Sequence, residues 1–161
     1  MSSLEIERKF LIRGGDIFKD VAFSSSYIRQ GYIPADGATV RVRTRDDKAY
    51  LTIKSHAGEN GLTRYEFEKE ITMEEALQLL KLCKGGVIEK RRYLVAVGRH
   101  TFEVDEFYGD NEGLVMAEVE LKSEDEAFEK PDFIGQEVTG DRRYYNSNLL
   151  TNPYKRWKDR L

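Results

Sequence analysis

Glu5, Glu7 and Lys9 take alternate positions in the opening stretch Leu4-Glu5-Ile6-Glu7-Arg8-Lys9-Phe10-Leu11. Strand side chains point to opposite faces in turn, so these three project together, away from Leu4, Ile6 and Phe10. Two carboxylates and an ammonium on one face can hold a hard cation beside an anion. The same parity continues through Arg41, Arg43 and Arg45; Lys54; Arg64, Glu66, Glu68 and Glu70; Lys90 and Arg92; Glu103 and Asp105; Glu118 and Glu120. Nine acids and eight bases from seven strands would share that face. A wet sheet face also carries charge, but it usually mixes in Thr, Ser and Gln. Here the signs are segregated, with acids on the first, fifth, seventh and eighth strands and bases on the third, fourth and sixth. That pattern suits an acidic wall for Mg²⁺ or Mn²⁺ and a basic wall for phosphate oxygens. Eight bases exceed the needs of a monophosphate and suit a triphosphate. Alternation alone does not say whether this face looks into a barrel or out to water.

The elements that must position these groups are mostly strands. Period-2 alternation marks the first stretch, Tyr27 to Ile33, the run through Val40 and Val42, and that through Leu51 and Ile53. Pro34-Ala35-Asp36-Gly37 and Asp46-Asp47 read as turns between them. A fifth strand spans Arg64 to Ile71, and three more follow at about 87–97, 100–107 and 114–122. One helix is strongly signalled, with Thr72 as N-cap, Glu74 and Glu75 at its positive end and Gly85-Gly86 as its stop. Ser123 with Glu126 has capping-box spacing for a short helix ended by Pro131. The tail from Phe133 reads as weak helix, with Asn146 or Ser147 as cap. Eight strands with helices as connections make an α+β domain on one large antiparallel sheet.

At 161 residues the chain is the length of one domain, 1–161. Net charge is only −3 although 34% of residues are charged, so neither nucleic acid nor an anionic membrane surface is indicated as partner. The sole cysteine, Cys83, lies in Leu79-Leu80-Lys81-Leu82-Cys83 and is expected to be a buried structural thiol. No apolar run would span a bilayer and the N-terminus lacks a secretory pattern, so a cytoplasmic protein is expected. The absence of a Gly-x-x-x-x-Gly-Lys loop excludes a P-loop mechanism.

The opening Glu-x-Glu-x-Lys resembles the signature of the CYTH superfamily, the triphosphate tunnel metalloenzymes. The resemblance runs in order through Tyr27-Ile28-Arg29-Gln30-Gly31-Tyr32, Val40-Arg41-Val42-Arg43, Leu51-Thr52-Ile53-Lys54 and Arg64-Tyr65-Glu66-Phe67-Glu68. It continues through Glu89-Lys90-Arg91-Arg92-Tyr93, Phe102-Glu103-Val104-Asp105 and Ala117-Glu118-Val119-Glu120, and the tail from Gly135 to Leu149 is similar to that of bacterial members. It implies an eight-stranded antiparallel β-barrel with the charged face inward and a few peripheral helices. It further implies Glu5, Glu7, Glu118 and Glu120 as ligands of Mg²⁺ or Mn²⁺. Glu66, Glu68 and Asp105 would be second-metal or water-organising groups. Lys9, Arg41, Arg43, Lys54, Lys90 and Arg92 would bind the triphosphate, and Lys54 with Tyr32 would activate the attacking water.

Arg45, Arg64 and Glu70 are expected at the rim, Arg8 and Arg91 on the outer face, and His56 and His100 at the surface. Trp157, in a basic tail, should pack. The resemblance implies hydrolysis of tripolyphosphate or a small organic triphosphate. Two alternatives stand beside it: a class IV adenylate cyclase and a polyphosphate-binding module without turnover. The expected partner is a small-molecule triphosphate, with homodimerisation left open.

Overall fold

The computed structural model describes residues 6–55 and 65–160. Its strands are β1 (Ile6–Ile12), β2 (Ser24–Ile33), β3 (Ala38–Arg45), β4 (Lys48–Ser55), β5 (Glu66–Ile71), β6 (Ile88–Val97), β7 (His100–Phe107), β8 (Val115–Leu121) and β9 (Ile134–Glu137). The helices are α1 (Ile17–Val21), α2 (Met73–Leu80) and α3 (Asn146–Thr151). All nine strands form one antiparallel sheet in the order β5-β4-β3-β2-β6-β7-β8-β1-β9.

The α+β class, the antiparallel sheet and the sparse peripheral helices follow the sequence reading, but among the described residues the sheet has nine strands and no hydrogen-bonded ladder closes it. The edge of β1 that closure would use is already taken. Phe10 and Ile12 pair with Glu137 and Ile134 of β9. Next to them, Lys9 accepts from the Val138 N–H at 2.8 Å and donates its own N–H to Thr139 Oγ1 at 2.9 Å. β9 passes close enough that a Cβ on Gly135 would stand 3.1 Å from the Leu11 carbonyl oxygen, so glycine suits this crossing. At the far end, β5 is an edge strand with Glu66 to Glu70 exposed.

Pairing registers place the charged series on one face. Tyr32 faces Arg41, Gln30 faces Arg43, Arg92 faces Asp105, Glu103 faces Glu118, Lys9 faces Glu118 and Glu7 faces Glu120. The opposite face is apolar and covered at two places. Phe10, Phe102, Val104, Ala117, Val119 and Leu121 pack with Phe18 of α1 and with Phe133. Val42 and Ala49 pack with Ala76 and Leu80 of α2. A third cluster closes one end of the charged face, where Ile88, Phe107 and Met116 meet Tyr144, Leu149 and Trp157. Trp157 is buried edge-on to Tyr144 and Tyr154, so the tail packs as expected.

α2 starts where the sequence places it. Thr72 Oγ1 accepts from the Glu75 N–H and Glu75 Oε1 accepts from the Thr72 N–H, a reciprocal cap whose loss costs about 1 kcal/mol. It ends at Leu80, short of the Gly85-Gly86 stop, and two turn residues carry the chain on. Cys83, half-buried, joins the partly buried fringe of the α2 cluster. A Cβ on Gly31 would lie 2.7 Å from its sulfur, so β2 and the α2 exit approach closely because position 31 has no side chain.

Two tail expectations fail. Ser123–Glu126 forms a turn, because the Glu126 carboxylate accepts from the Lys122 N–H at 2.6 Å and also meets His100 at 2.6 Å, committing it to the β7–β8 end of the sheet. The stretch read as weak helix from Phe133 begins with β9, and α3 is capped by Tyr145, with Asn146 its first helical residue.

Candidate active site

The charged face encloses a cavity of about 410 Å³ lined by Glu7, Lys9, Gln30, Tyr32, Arg41, Arg43, Lys54, Lys90, Arg92, Glu103, Glu118, Glu120 and Asn146. Lys54 of β4 and Glu7 of β1 line it together although five strands separate β4 from β1. The sheet therefore curls far enough to bring its flanks to one space without a closing ladder. A second cavity of about 590 Å³ shares Glu103, Glu118 and Glu120 with it and adds Arg99, His100, Lys122 and Glu126. His100, expected at the surface, is half-buried there, edge-on to Phe128 and bonded to Glu126.

The basic wall is organised around Asp105, which is buried. Arg92 donates to it through Nε at 2.8 Å and Nη2 at 2.9 Å, and Lys90 Nζ lies 2.9 Å away. Burial opposes the Asp105 charge, but Lys90 and Arg92 outweigh it and hold the carboxyl well below the usual range. Burial likewise works against Arg92, yet Asp105, Glu103 and Glu118 raise its pKa, and Arg92 Nη1 reaches Glu103 at 2.6 Å. Lys90 is fully buried and pulled down to about 8, burial prevailing over Asp105. Arg43 is lowered to about 10 by burial and by Arg41 and Arg92.

Four guanidinium or ammonium groups, Arg41, Arg43, Lys90 and Arg92, thus share one wall and repel one another, an arrangement that favours an anion between them. Among the described residues Arg41 Nε is buried without a hydrogen-bond partner, and Arg41 Nη2 makes only a long 3.5 Å contact with Thr52 Oγ1. Gln30, 1% exposed, orders its neighbours: its Oε1 accepts from Arg43 Nε at 2.9 Å and its Nε2 donates to Tyr32 Oη at 3.2 Å.

On the acidic wall, burial and then a hydrogen bond from Glu7 push Glu118 up to about 7. Two carboxylates crowd each other there, a place that a divalent cation's charge would suit. Hard oxygen donors of this kind fit Mg²⁺ or Mn²⁺. Glu120 lies across from Glu7 in the β1–β8 register and lines the cavity. Among the described residues no cluster of three carboxylate, histidine or cysteine side chains forms a ready coordination shell, and Glu5 lies outside the described residues.

Of the other expected positions, Glu66 and Glu68 sit exposed on the edge strand, outside the lining. Glu66 is 3.9 Å from Lys54 Nζ, and Glu68 accepts from Thr52 at 2.8 Å. Asp105 stands behind the wall, bound to its cations. Lys54 and Tyr32 line the cavity without a hydrogen bond to each other among the described residues. Arg8 and Arg91 face outward, toward Glu137 and Ser25, and Arg45 and Glu70 are exposed. Arg64 and His56 lie outside the described residues. Sequence reading left Gln30 and Asn146 out of the site, since an uncharged amide carries no signal in a pattern of charges.

Known proteins are similar to this chain over most of its length. The model of the CYTH domain matches residues 3–147. An inorganic triphosphatase of Acetivibrio thermocellus is 52% identical over 157 residues, covering 96% of this chain and 98% of its own length. Another inorganic triphosphatase, from Nitrosomonas europaea, is 38% identical over 150 residues, covering 90% and 95%. A crystal structure of an inorganic triphosphatase superposes with a TM-score of 0.68 at 32% identity, covering 93% of this chain and 95% of that one. With a family model spanning most of its length and relatives this similar end to end, the chain belongs to the CYTH domain family.

Proposed function

We propose that this chain hydrolyses inorganic tripolyphosphate, with Mg²⁺ or Mn²⁺ bound by Glu5, Glu7, Glu118 and Glu120. The lining of the central cavity carries this reading: six cationic and four acidic side chains, with no aliphatic side chain and Tyr32 as the one aromatic among the described lining residues. A nucleobase or thiazole ring finds no apolar slot there, whereas a bare polyanion finds donors on several sides. Two relatives matched over nearly their whole lengths are inorganic triphosphatases.

Lys9, Arg41, Arg43, Lys54, Lys90 and Arg92 bind the phosphate oxygens. Glu5, Glu7, Glu118 and Glu120 would hold the divalent cation, which would supply neutralisation of the phosphate oxygens' charge when bound. Water attacks the terminal phosphorus, the bond to the bridging oxygen breaks, and orthophosphate and pyrophosphate leave. Lys54 with Tyr32 is the candidate pair for orienting that water and taking its proton. Gln30 holds Tyr32 and Arg43 in place.

Purified protein incubated with tripolyphosphate, ATP or thiamine triphosphate, with each cation in turn, tests the reading. Orthophosphate from tripolyphosphate without cyclic AMP from ATP is the expected result. Cyclic AMP as the main product would overturn it in favour of a cyclase, and tight binding without turnover in favour of a binding module.

A further inference from the structure

Asn146 is the one described lining residue of the central cavity that comes from outside the sheet. It opens α3, and its Oδ1 accepts from Lys90 Nζ at 3.0 Å. Lys90 is 0% exposed, and its ammonium has two described partners, Asn146 on one side and Asp105 Oδ2 at 2.9 Å on the other. An ammonium has three N–H donors. Two are taken by these acceptors, the Phe107 ring centre lies 5.5 Å from Nζ, and Lys90 itself lines the cavity.

Charge explains why the helix side supplies an amide. Asp105 already serves two cations, since Arg92 binds it through both Nε and Nη2. Lys90, Arg92 and the neighbouring Arg43, set against Asp105 and Glu103, keep one net positive charge at the cavity wall. A carboxylate at position 146 would cancel it, whereas an amide oxygen fixes the ammonium and leaves the charge for an anion. The preceding residue meets a second lysine of the lining, because Lys9 Nζ lies 4.9 Å from the centre of the Tyr145 ring. Lys9 is on β1 and Lys90 on β6, with β7 and β8 between them in the sheet. Two consecutive residues at the start of α3 therefore touch two phosphate-binding lysines from different strands.

We infer that Asn146 is a positioning residue of the triphosphate site, an uncharged acceptor that aims the Lys90 ammonium at the substrate without neutralising it. The inference rests on the triphosphatase reading. A purely structural Asn146 would tie α3 to the sheet and nothing more, and substitution separates the two roles.

Asn146→Asp keeps the shape and the acceptor and adds an ion pair to Lys90, so a structural tie is kept or strengthened. A positioning role requires the opposite in function: KM for tripolyphosphate rises about tenfold or more, with a smaller change in kcat and no fall in melting temperature. Asn146→Ala is expected to raise KM by about three- to tenfold through loss of one charge-assisted hydrogen bond. Tripolyphosphate titrated calorimetrically into each variant should show the same order of weakening. An Asn146→Asp variant that stays within twofold of the wild-type KM overturns the inference and leaves the triphosphatase reading standing. So does an Asn146→Asp variant that unfolds. A wild-type protein that neither binds nor hydrolyses tripolyphosphate sinks both.

Discussion

Replacing Asp105 by Asn removes one buried negative charge from between two cations while keeping the side-chain volume. Taking away one partner of a buried ion pair generally costs about 3–5 kcal/mol. Two features lower that figure here. Arg92 keeps Glu103 at 2.6 Å through Nη1. Lys90, already pulled down to about 8 by burial, can shed its proton instead of staying charged and unpaired. Since one pKa unit corresponds to about 1.4 kcal/mol, its share at pH 7 cannot exceed about 1.4 kcal/mol. The weakened Arg92 bonds add about 1–2 kcal/mol, for a total of about 2–3 kcal/mol. For a domain of this size that is a fall in Tm of about 5–10 °C.

The pH dependence gives the sharper check. The folded pKa of Lys90 is lowered, so above it the unfolded chain binds one more proton than the native state, and stability rises with pH. In Asp105→Asn that window opens at lower pH, so the deficit should shrink by about 1.4 kcal/mol between pH 7 and pH 9. Scanning calorimetry of both proteins across that range reads it. A deficit below 2 °C at pH 7, or one that stays constant with pH, would refute the reasoning.

Three further outcomes follow from the same geometry. Glu7→Gln relieves the carboxylate pair, so the metal-free protein should melt no lower than wild type. The cation concentration for half-maximal turnover should nonetheless rise at least about tenfold in a Mg²⁺ or Mn²⁺ titration, and an unchanged titration would remove Glu7 from the metal ligands. Arg41→Ala gives up no strong bond to the described residues, among which Nε is unpartnered, so melting should barely move while KM for tripolyphosphate rises about tenfold with kcat less affected. Arg8 holds the Glu137 carboxyl well below the usual range, chiefly by hydrogen bonding. That stabilisation is full above the ordinary glutamate pKa and lost as pH falls toward the folded value, so Arg8→Met should flatten the acid limb of a plot of Tm against pH. A limb as steep as wild type would show that the pair does not anchor β9.

How much of this was legible depended on how local each signal is. Strand parity is a property of neighbouring residues, so the charged face read from alternation is the face that the pairing registers assemble. The Thr72–Glu75 cap is equally local and opened α2 where expected. Ser123 and Glu126 have the same spacing, yet form no helix, because the glutamate is bound from outside the segment by His100. β9 was missed because Ile134-Gly135-Gln136-Glu137 is too short to show alternation, and its identity as a strand comes from β1's unpaired edge.

The site divides along the same line. Charged residues declare themselves by type, and most of the expected binding groups line one cavity. Their division of labour is not local. Asp105 has the same parity and charge as Glu103, but only the fold shows it sunk between Lys90 and Arg92 while Glu103 faces the cavity. Glu66 and Glu68 have the right parity too, yet β5 ends the sheet, so the curl that gathers the other strands leaves them exposed. The least visible members are the neutral ones. Gln30 and Asn146 matter because they bind Arg43 and Lys90 without subtracting from their charge. A site built to hold a polyanion must fix its cations with acceptors, and each carboxylate used for that weakens the field it orients. Uncharged amides meet both demands, and a pattern of charges cannot point to them.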